Sequence, residues 1–337
     1  MNCSNNKMLP VPLNSGFEMD NYWIWCGSVV EDPDGNGFHM FAARWSKEYP
    51  MFQGYIYLSE IVRAWSPSML GPYEFVEKVL PTGNSSDWNG KMAHNPTIVK
   101  YGNKYLLYYI ATTYDIPLPS PDIVATDSKT MNEIYQRIRI GVLIGDHPAG
   151  PWESLGKPIL EARPGEWDHQ LVTNPAPCIH PNGKIFLYYR SNTPDGLRIG
   201  LAVAESPEGP YKRIQDEPVM QGITVEDPFV WHNGHCFEMI AKDITGEITG
   251  EFHSGAHFLS DDGINWHVTD EPQAYSKTIT YSDGTTTTLG SLERPQLLLD
   301  EKGIPKCMFA AASDGPGGFR KAQNTWNIAI PLSGSFC

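Results

Sequence analysis

The apolar residues of this chain fall in short runs, each opened by a polar pair and divided by a turn. In "VEDPFVWHNGHCFEMIAKD", from Val225, Glu226-Asp227-Pro228 precede one apolar run, "HNGH" breaks it, and a second run follows. Two strand-length runs around a Gly- and Asn-bearing turn predict a β-hairpin. The same order recurs in "AHNPTIVKYGNKYLLYYIATT" from Ala93, "VTNPAPCIHPNGKIFLYYRSN" from Val172 and "LERPQLLLDEKGIPKCMFAAAS" from Leu292, and more weakly in "WCGSVVEDPDGNGFHMFAARW" from Trp25.

A second shared element follows four of these hairpins: "SMLGPYEF" at Ser68, "DHPAGPWESL" at Asp146, "SPEGPYKRI" at Ser206 and "SDDGINWHV" at Ser260. Each carries a Gly turn before an aromatic residue, as between a third and a fourth strand. Repeats of this kind predict an all-β chain whose residues 1–337 form one domain, a single five-bladed β-propeller of four-stranded antiparallel blades. The blades start near 25, 93, 172, 225 and 292, at Gly27, Asn95, Asn174, Asp227 and Arg294. Residues 115–133, rich in Pro and Ser, read as an inserted surface loop over one face, and "MLPVPL" near the N-terminus is expected to close the fifth blade.

Composition narrows the partners. The chain has a net charge of −14 and no Lys/Arg run, which argues against nucleic acid. No apolar stretch reaches membrane-spanning length, and no charged and apolar leader pattern opens the chain. "CSNN" at Cys3 is like the mature end of a bacterial lipoprotein, so the compartment stays open between a periplasmic, lipid-anchored place and the cytoplasm. The cysteines Cys3, Cys26, Cys178, Cys236, Cys307 and Cys337 lack ligand spacing, as do the histidines, so no metal is assigned. Ten Trp and sixteen Tyr supply rings able to stack on sugars as well as a core.

In a propeller the first strand of each blade lines the central channel and the second returns beside it, so first-strand starts and second-strand ends share one face. The polar pairs then ring one mouth: Glu226-Asp227, His94-Asn95, Thr173-Asn174 and Glu293-Arg294, with Trp25-Cys26-Gly27 in the first blade. Arg44, Arg190 and Lys242, at second-strand ends, are expected at the same mouth. Cations and carboxylates in an aromatic-lined funnel suit a small polar ligand, although ion pairs closing the channel would use the same residues. Glu226 is expected to face away from Asp227, because neighbours in a strand point to opposite sides.

The "EDP" at Glu226, "ERPQ" at Glu293, the "HNP" and "TNP" pair and the "SDDGINW" turn resemble the five-bladed propeller glycosidases of glycoside hydrolase family 43 and relatives such as family 117. The resemblance covers nearly the whole chain. It implies an exo-acting hydrolase that removes a terminal arabinose, xylose or galactose from an oligo- or polysaccharide, with carboxylate acid and base arranged for inversion. No cofactor is implied beyond a possible structural Ca²⁺ in the channel. Family 43 places a base Asp at the first strand of blade 1, where this chain reads Trp25-Cys26-Gly27-Ser28. Asp20 is the nearest substitute, Asp32 reads as a turn residue, and Asp168 and Asp87 lie in loops that could reach over the funnel. Asp227 and Glu293 are the leading catalytic carboxylates, with His253 or His94 as acid if the family 117 pattern applies. Trp25, Arg44, His94, Asn95, Asn174, Arg190, Glu226, Lys242 and Arg294 would bind substrate. A phosphorylase using the same cations to hold phosphate, and a sugar-binding propeller without catalysis, are the alternatives.

Overall fold

The computed structural model describes residues 7–80 and 86–336, so the Cys3 segment lies outside the described residues. The chain forms a five-bladed β-propeller. Blades 1 to 4 are four-stranded antiparallel sheets in sequential order, with first strands at Tyr22–Glu31, Met92–Tyr101, Thr173–Ile179 and Val225–His232. The fifth has three strands, Ser291–Leu299, Pro305–Ser313 and Thr325–Pro331. Its fourth place is taken by N-terminal residues: Leu9 N–H donates to Pro331 O at 2.8 Å, and Phe17 and Asn327 exchange backbone hydrogen bonds of 2.8 and 2.9 Å. The closure expected of the N-terminal segment is therefore made.

Second strands such as "FHMFAARWS" are apolar on both faces because each blade is sandwiched between two others. Apolar clusters fill the blade boundaries. Leu106, Tyr108 and Leu187 pack between blades 2 and 3, Met239, Phe258 and Leu201 between 3 and 4, and Met40, Val62 and Phe309 between 5 and 1. The Gly-aromatic turns lie between third and fourth strands as expected.

Every first strand also carries one bulge. Pairing with the second strand slips immediately beyond the polar pair in all five blades. The second residue of each pair sits in the left-handed region: Cys26 at φ 58°, Asn95 and Asn174 at 52°, Asp227 at 57° and Arg294 at 54°. Asn tolerates this conformation; Cys and Arg do so at a cost, so surrounding bonds must hold them there. The blade-1 counterpart of Asn95 is thus Cys26, one residue before the Gly27 expected from the repeat.

The expected loop at 115–133 is instead two short helices, α2 (Pro121–Thr126) and α3 (Ser128–Tyr135). They pack on helix α1 (Met51–Leu58), which joins the second and third strands of blade 1; Val124 and Ile134 meet Ile56 and Tyr57. Pro121 stands at the first helical position, where its missing N–H is no loss, and Asp127 caps α3 by accepting from Thr130 N–H at 3.0 Å.

Asn327 fastens the closure from the side, its Oδ1 accepting the buried Gly27 N–H at 2.9 Å. Asn327→Ala leaves that donor unpaired and is expected to lower unfolding free energy by about 1–3 kcal/mol, measured by urea titration. An unchanged midpoint would show that the contact adds nothing to ring closure.

Candidate active site

The bulges turn five side chains inward to form a hydrogen-bonded circle. The Cys26 thiol donates to Asn95 Oδ1 at 2.8 Å, and Asn95 Nδ2 donates to Asn174 Oδ1 at 3.2 Å. Asn174 Nδ2 donates in turn to Asp227 Oδ1, while Arg294 reaches Asp227 through its backbone N–H at 3.2 Å and its guanidinium at 3.5 Å. Burial pushes the Cys26 thiol far up, with Arg294 opposing, so it stays a neutral donor.

Glu226 and Glu293, the first members of their pairs, stand beside this circle. One oxygen of each lies within 4.8 Å of one another and of Asp227. Lys242 binds the trio, its Nζ 2.7 Å from Glu226, 2.7 Å from Glu293 and 3.6 Å from Asp227. Arg190 adds a 3.3 Å contact to Glu226 and is braced by Tyr135 at the end of α3, whose hydroxyl accepts from it at 3.0 Å. The expectation that Glu226 faces away fails, because the bulge at Asp227 interrupts strand alternation and aims both carboxylates at the mouth.

The environments of the two glutamates differ. Burial would raise Glu226, but Lys242 and Arg190 outweigh it and pull its pKa down to about 2. Glu293 is raised, first by burial, with Asp227 and Glu226 adding to the effect against Lys242. Lys242 holds Glu293 Oε2, and Oε1 is buried without a hydrogen-bond partner among the described residues.

These groups line one side of a cavity of about 100 Å³, and Trp25, Trp45, Phe52, Tyr55 and Phe319 supply aromatic walls. Phe52 stacks on Phe319 with ring centres 5.7 Å apart, and Tyr55 stacks on His94 at 4.6 Å. Phe52 and Tyr55 belong to α1; Phe319 comes from the corresponding connection in blade 5. Neither segment was selected from the sequence. The signal was the aromatic "YPMFQGYIYL" immediately after a second strand that ends at the mouth.

Of the residues expected at the mouth, Trp25, His94, Asn95, Asn174, Arg190, Glu226, Asp227, Glu293 and Arg294 line this cavity. Lys242 and His253 line an adjoining cleft. Arg44 does not join them. Lys242 is paired with Glu226 in register, whereas the partner of Trp25 is Ala43, so Arg44 is one residue out and faces the other side. It pairs with Glu60 at 2.8 Å and packs on the Tyr22 and Phe75 rings.

Asp20 is an exposed residue before blade 1, outside the cavity lining. Asp168 is fully buried in a knot with Arg163 at 2.9 Å, Arg213 at 2.6 Å and the Tyr189 hydroxyl at 2.8 Å, which leaves it no free face. Asp32 accepts from Asp34 N–H at 2.9 Å within its turn, as expected. His253 is held down at about 4 by burial and by Lys242 and Lys277, and His94 at about 3 by burial and Arg294; neither carries a proton at neutral pH.

The channel fits Ca²⁺ poorly. Calcium takes six to eight oxygens, whereas here the carboxylates already face the Lys242 ammonium and the Arg294 guanidinium, and Cys26 presents sulfur.

No family model matches this chain, and no curated protein matches it by sequence. Its fold is similar to solved glycoside hydrolases. A family 117 glycoside hydrolase from the marine bacterium Zobellia galactanivorans shares 17% identity over 96% of this chain and 89% of its own, with a TM-score of 0.69. A thermostable family-43 glycoside hydrolase shares 12% identity, covering 98% of this chain and 96% of its own, with a TM-score of 0.61. An endo-arabinase from Bacteroides thetaiotaomicron shares 11% identity over 96% of each chain, with a TM-score of 0.56. The resemblance drawn from the hairpin motifs thus holds at the level of fold.

Lys242→Met removes the buried counter-ion of three carboxylates and is expected to destabilise by about 3–5 kcal/mol at neutral pH. In the parent, Glu226 lies below its ordinary value of 4.5, so its contribution is present above that pH and is lost as pH falls toward about 2. In the variant Glu226 and Glu293 lose the charge that lowers them and protonate more readily, so the penalty should shrink as pH falls to 4.5. Thermal unfolding of both proteins across pH checks this; a penalty independent of pH would mean that lost packing, not charge, is responsible.

Proposed function

We propose that this protein is an exo-acting glycosidase that takes one terminal sugar into the central cavity and cleaves its glycosidic bond with Glu293 and Glu226. The observation that carries the reading is the contrast between the two glutamates. Glu293 is raised, first by burial, and keeps one buried oxygen without a partner among the described residues, features that suit a proton donor, while Glu226 beside it is pulled down to about 2. The cavity volume of about 100 Å³ suits a single ring, and its aromatic walls offer stacking surfaces.

In this reading the Glu293 carboxyl gives its proton to the leaving oxygen as the bond to the anomeric carbon breaks and the Glu226 carboxylate bonds to that carbon; water then displaces Glu226 from the sugar while Glu293 takes the water's proton. Asp227 serves as a positioning residue, since both of its oxygens are engaged in the circle. One oxygen of each glutamate lies within 4.8 Å of the other, the kind of close spacing that attack by one carboxylate on the anomeric carbon would use. The proposal therefore departs from the inverting arrangement and takes retention as the outcome. Arabinosides, xylosides and galactosides remain the substrate classes to test, with fold likeness to the arabinan-directed enzyme as support. Transfer to phosphate is less well supported, because Arg190, Lys242 and Arg294 each face a carboxylate and Arg44 lies elsewhere.

Purified protein incubated with arabinosides, xylosides, galactosides and plant or algal oligosaccharides, with and without phosphate, should release a monosaccharide in either condition. Glu293→Gln should lower turnover by about 10²–10⁴-fold with the fold intact by circular dichroism. Turnover of the parent should fall as pH rises through the raised Glu293 value. Proton NMR of the first product should show the anomer retained. Inversion would remove Glu226 from its role, and binding without release in parent and variant alike would overturn the glycosidase.

A further inference from the structure

A second cleft of about 430 Å³ opens beside the central cavity and shares Glu226, Glu293 and Phe319 with it. Its floor and its rim differ in charge. On the floor, the two glutamates are bound by Lys242. At the rim stand Lys277 and Arg320; neither side chain forms an ion pair among the described residues, although the Lys277 backbone N–H donates to Glu251 Oε1 at 3.1 Å. Each is held against an aromatic face instead: the Arg320 guanidinium lies 3.9 Å from the centre of the Phe52 ring, and the Lys277 ammonium 5.7 Å from that of Phe252. Stacking fixes these cations in place while leaving their hydrogen-bond donors free.

His253 completes the rim. It stacks on Phe252 with ring centres 3.8 Å apart, and burial, with Lys242 and Lys277 acting against Glu226 and Asp243, holds it at about 4. The backbone opposite is glycine: Gly290, Gly317 and Gly318 line the cleft, and a Cβ on Gly290 would fall 2.1 Å from Gly315 O. In a chain of net charge −14, two unpaired cations at one cleft are not part of a general basic surface.

We propose that this cleft is a subsite for an anionic glycan unit, in which Lys277 and Arg320 bind a carboxylate or sulfate substituent on the residue attached to the sugar in the central cavity. The guanidinium takes the anion through paired N–H donors, the ammonium takes it as a point charge, and the Phe252 and Phe319 rings pack on the sugar. The location rests on the glycosidase reading, since it makes the cleft the site of the leaving group; the preference for an anion rests on the cleft alone.

Binding is therefore measured separately from cleavage, by calorimetry with Glu293→Gln protein. The probes are galacturonate-, glucuronate- and sulfate-bearing oligosaccharides, each beside its neutral counterpart. At least one acidic probe should bind about tenfold more tightly than its neutral counterpart, as one charge-assisted contact predicts, and the gap should narrow in high salt. Lys277→Ala and Arg320→Ala change exposed or half-buried side chains and should abolish the gap while leaving neutral binding unchanged. Uronate and sulfate probes separate the two sources of charge. Equal affinity for acidic and neutral probes, no binding of any acidic probe, or a preference that survives the double substitution would overturn the subsite. Preference without turnover in the parent would leave the subsite standing and remove the glycosidase; turnover without preference would do the reverse.

Discussion

The site depends on a backbone constraint: five residues, one per blade, held in the left-handed region where each first strand enters the channel. Alternation along a strand would send one member of each polar pair into a blade interface. The bulge lets both members face the mouth, so a fivefold scaffold presents ten side chains instead of five. Asn and Asp adopt that conformation readily, yet Cys26 and Arg294 also occupy it. The circle of hydrogen bonds from Cys26 through the asparagines to Asp227 and Arg294 supplies the compensation, and makes the mouth rigid in the same stroke.

Upon that circle sits a charge arrangement organised by one ammonium. Lys242 is a counter-ion to three carboxylates at once, which offsets the repulsion among acidic groups crowded into a buried mouth. It does so unevenly, because Arg190 reinforces it at Glu226 and nothing comparable does so at Glu293. Two chemically identical side chains thereby acquire opposite protonation preferences. The walls come from a different source, the connections between second and third strands, which emerge at the mouth in every blade and are free to differ: a helix in blade 1, two helices in blade 2 that brace Arg190, and a short helical turn bearing Phe319 in blade 5.

Repetition made the fold legible. Five hairpins with shared turns identify the propeller and locate Asp227, Glu293, Lys242 and both asparagines at the mouth, because strand geometry alone carries them there. What was illegible depended on register and on local backbone conformation. Arg44 resembles Lys242 in position after its hairpin, yet a one-residue difference in pairing moves it to the far face. Glu226 was assigned to the wrong side because a bulge leaves no signature beyond the polar pair itself. Asp168 has the sequence context of a loop acid, but two arginines and a tyrosine from distant positions enclose it. The aromatic walls escaped because they lie outside the repeat.

The closing blade has a consequence for how the chain is made. Residues near Leu9 and Phe17 leave the ribosome long before the strand they pair with, at Asn327 to Pro331. Blades 1 to 4 can assemble in order as they emerge, each covering the face of the one before. The first blade must wait with its outer apolar face uncovered until the last is finished. Closure therefore waits on a pairing that spans all five blades, and the interval before it is when the chain is most exposed to pairing with another copy of itself.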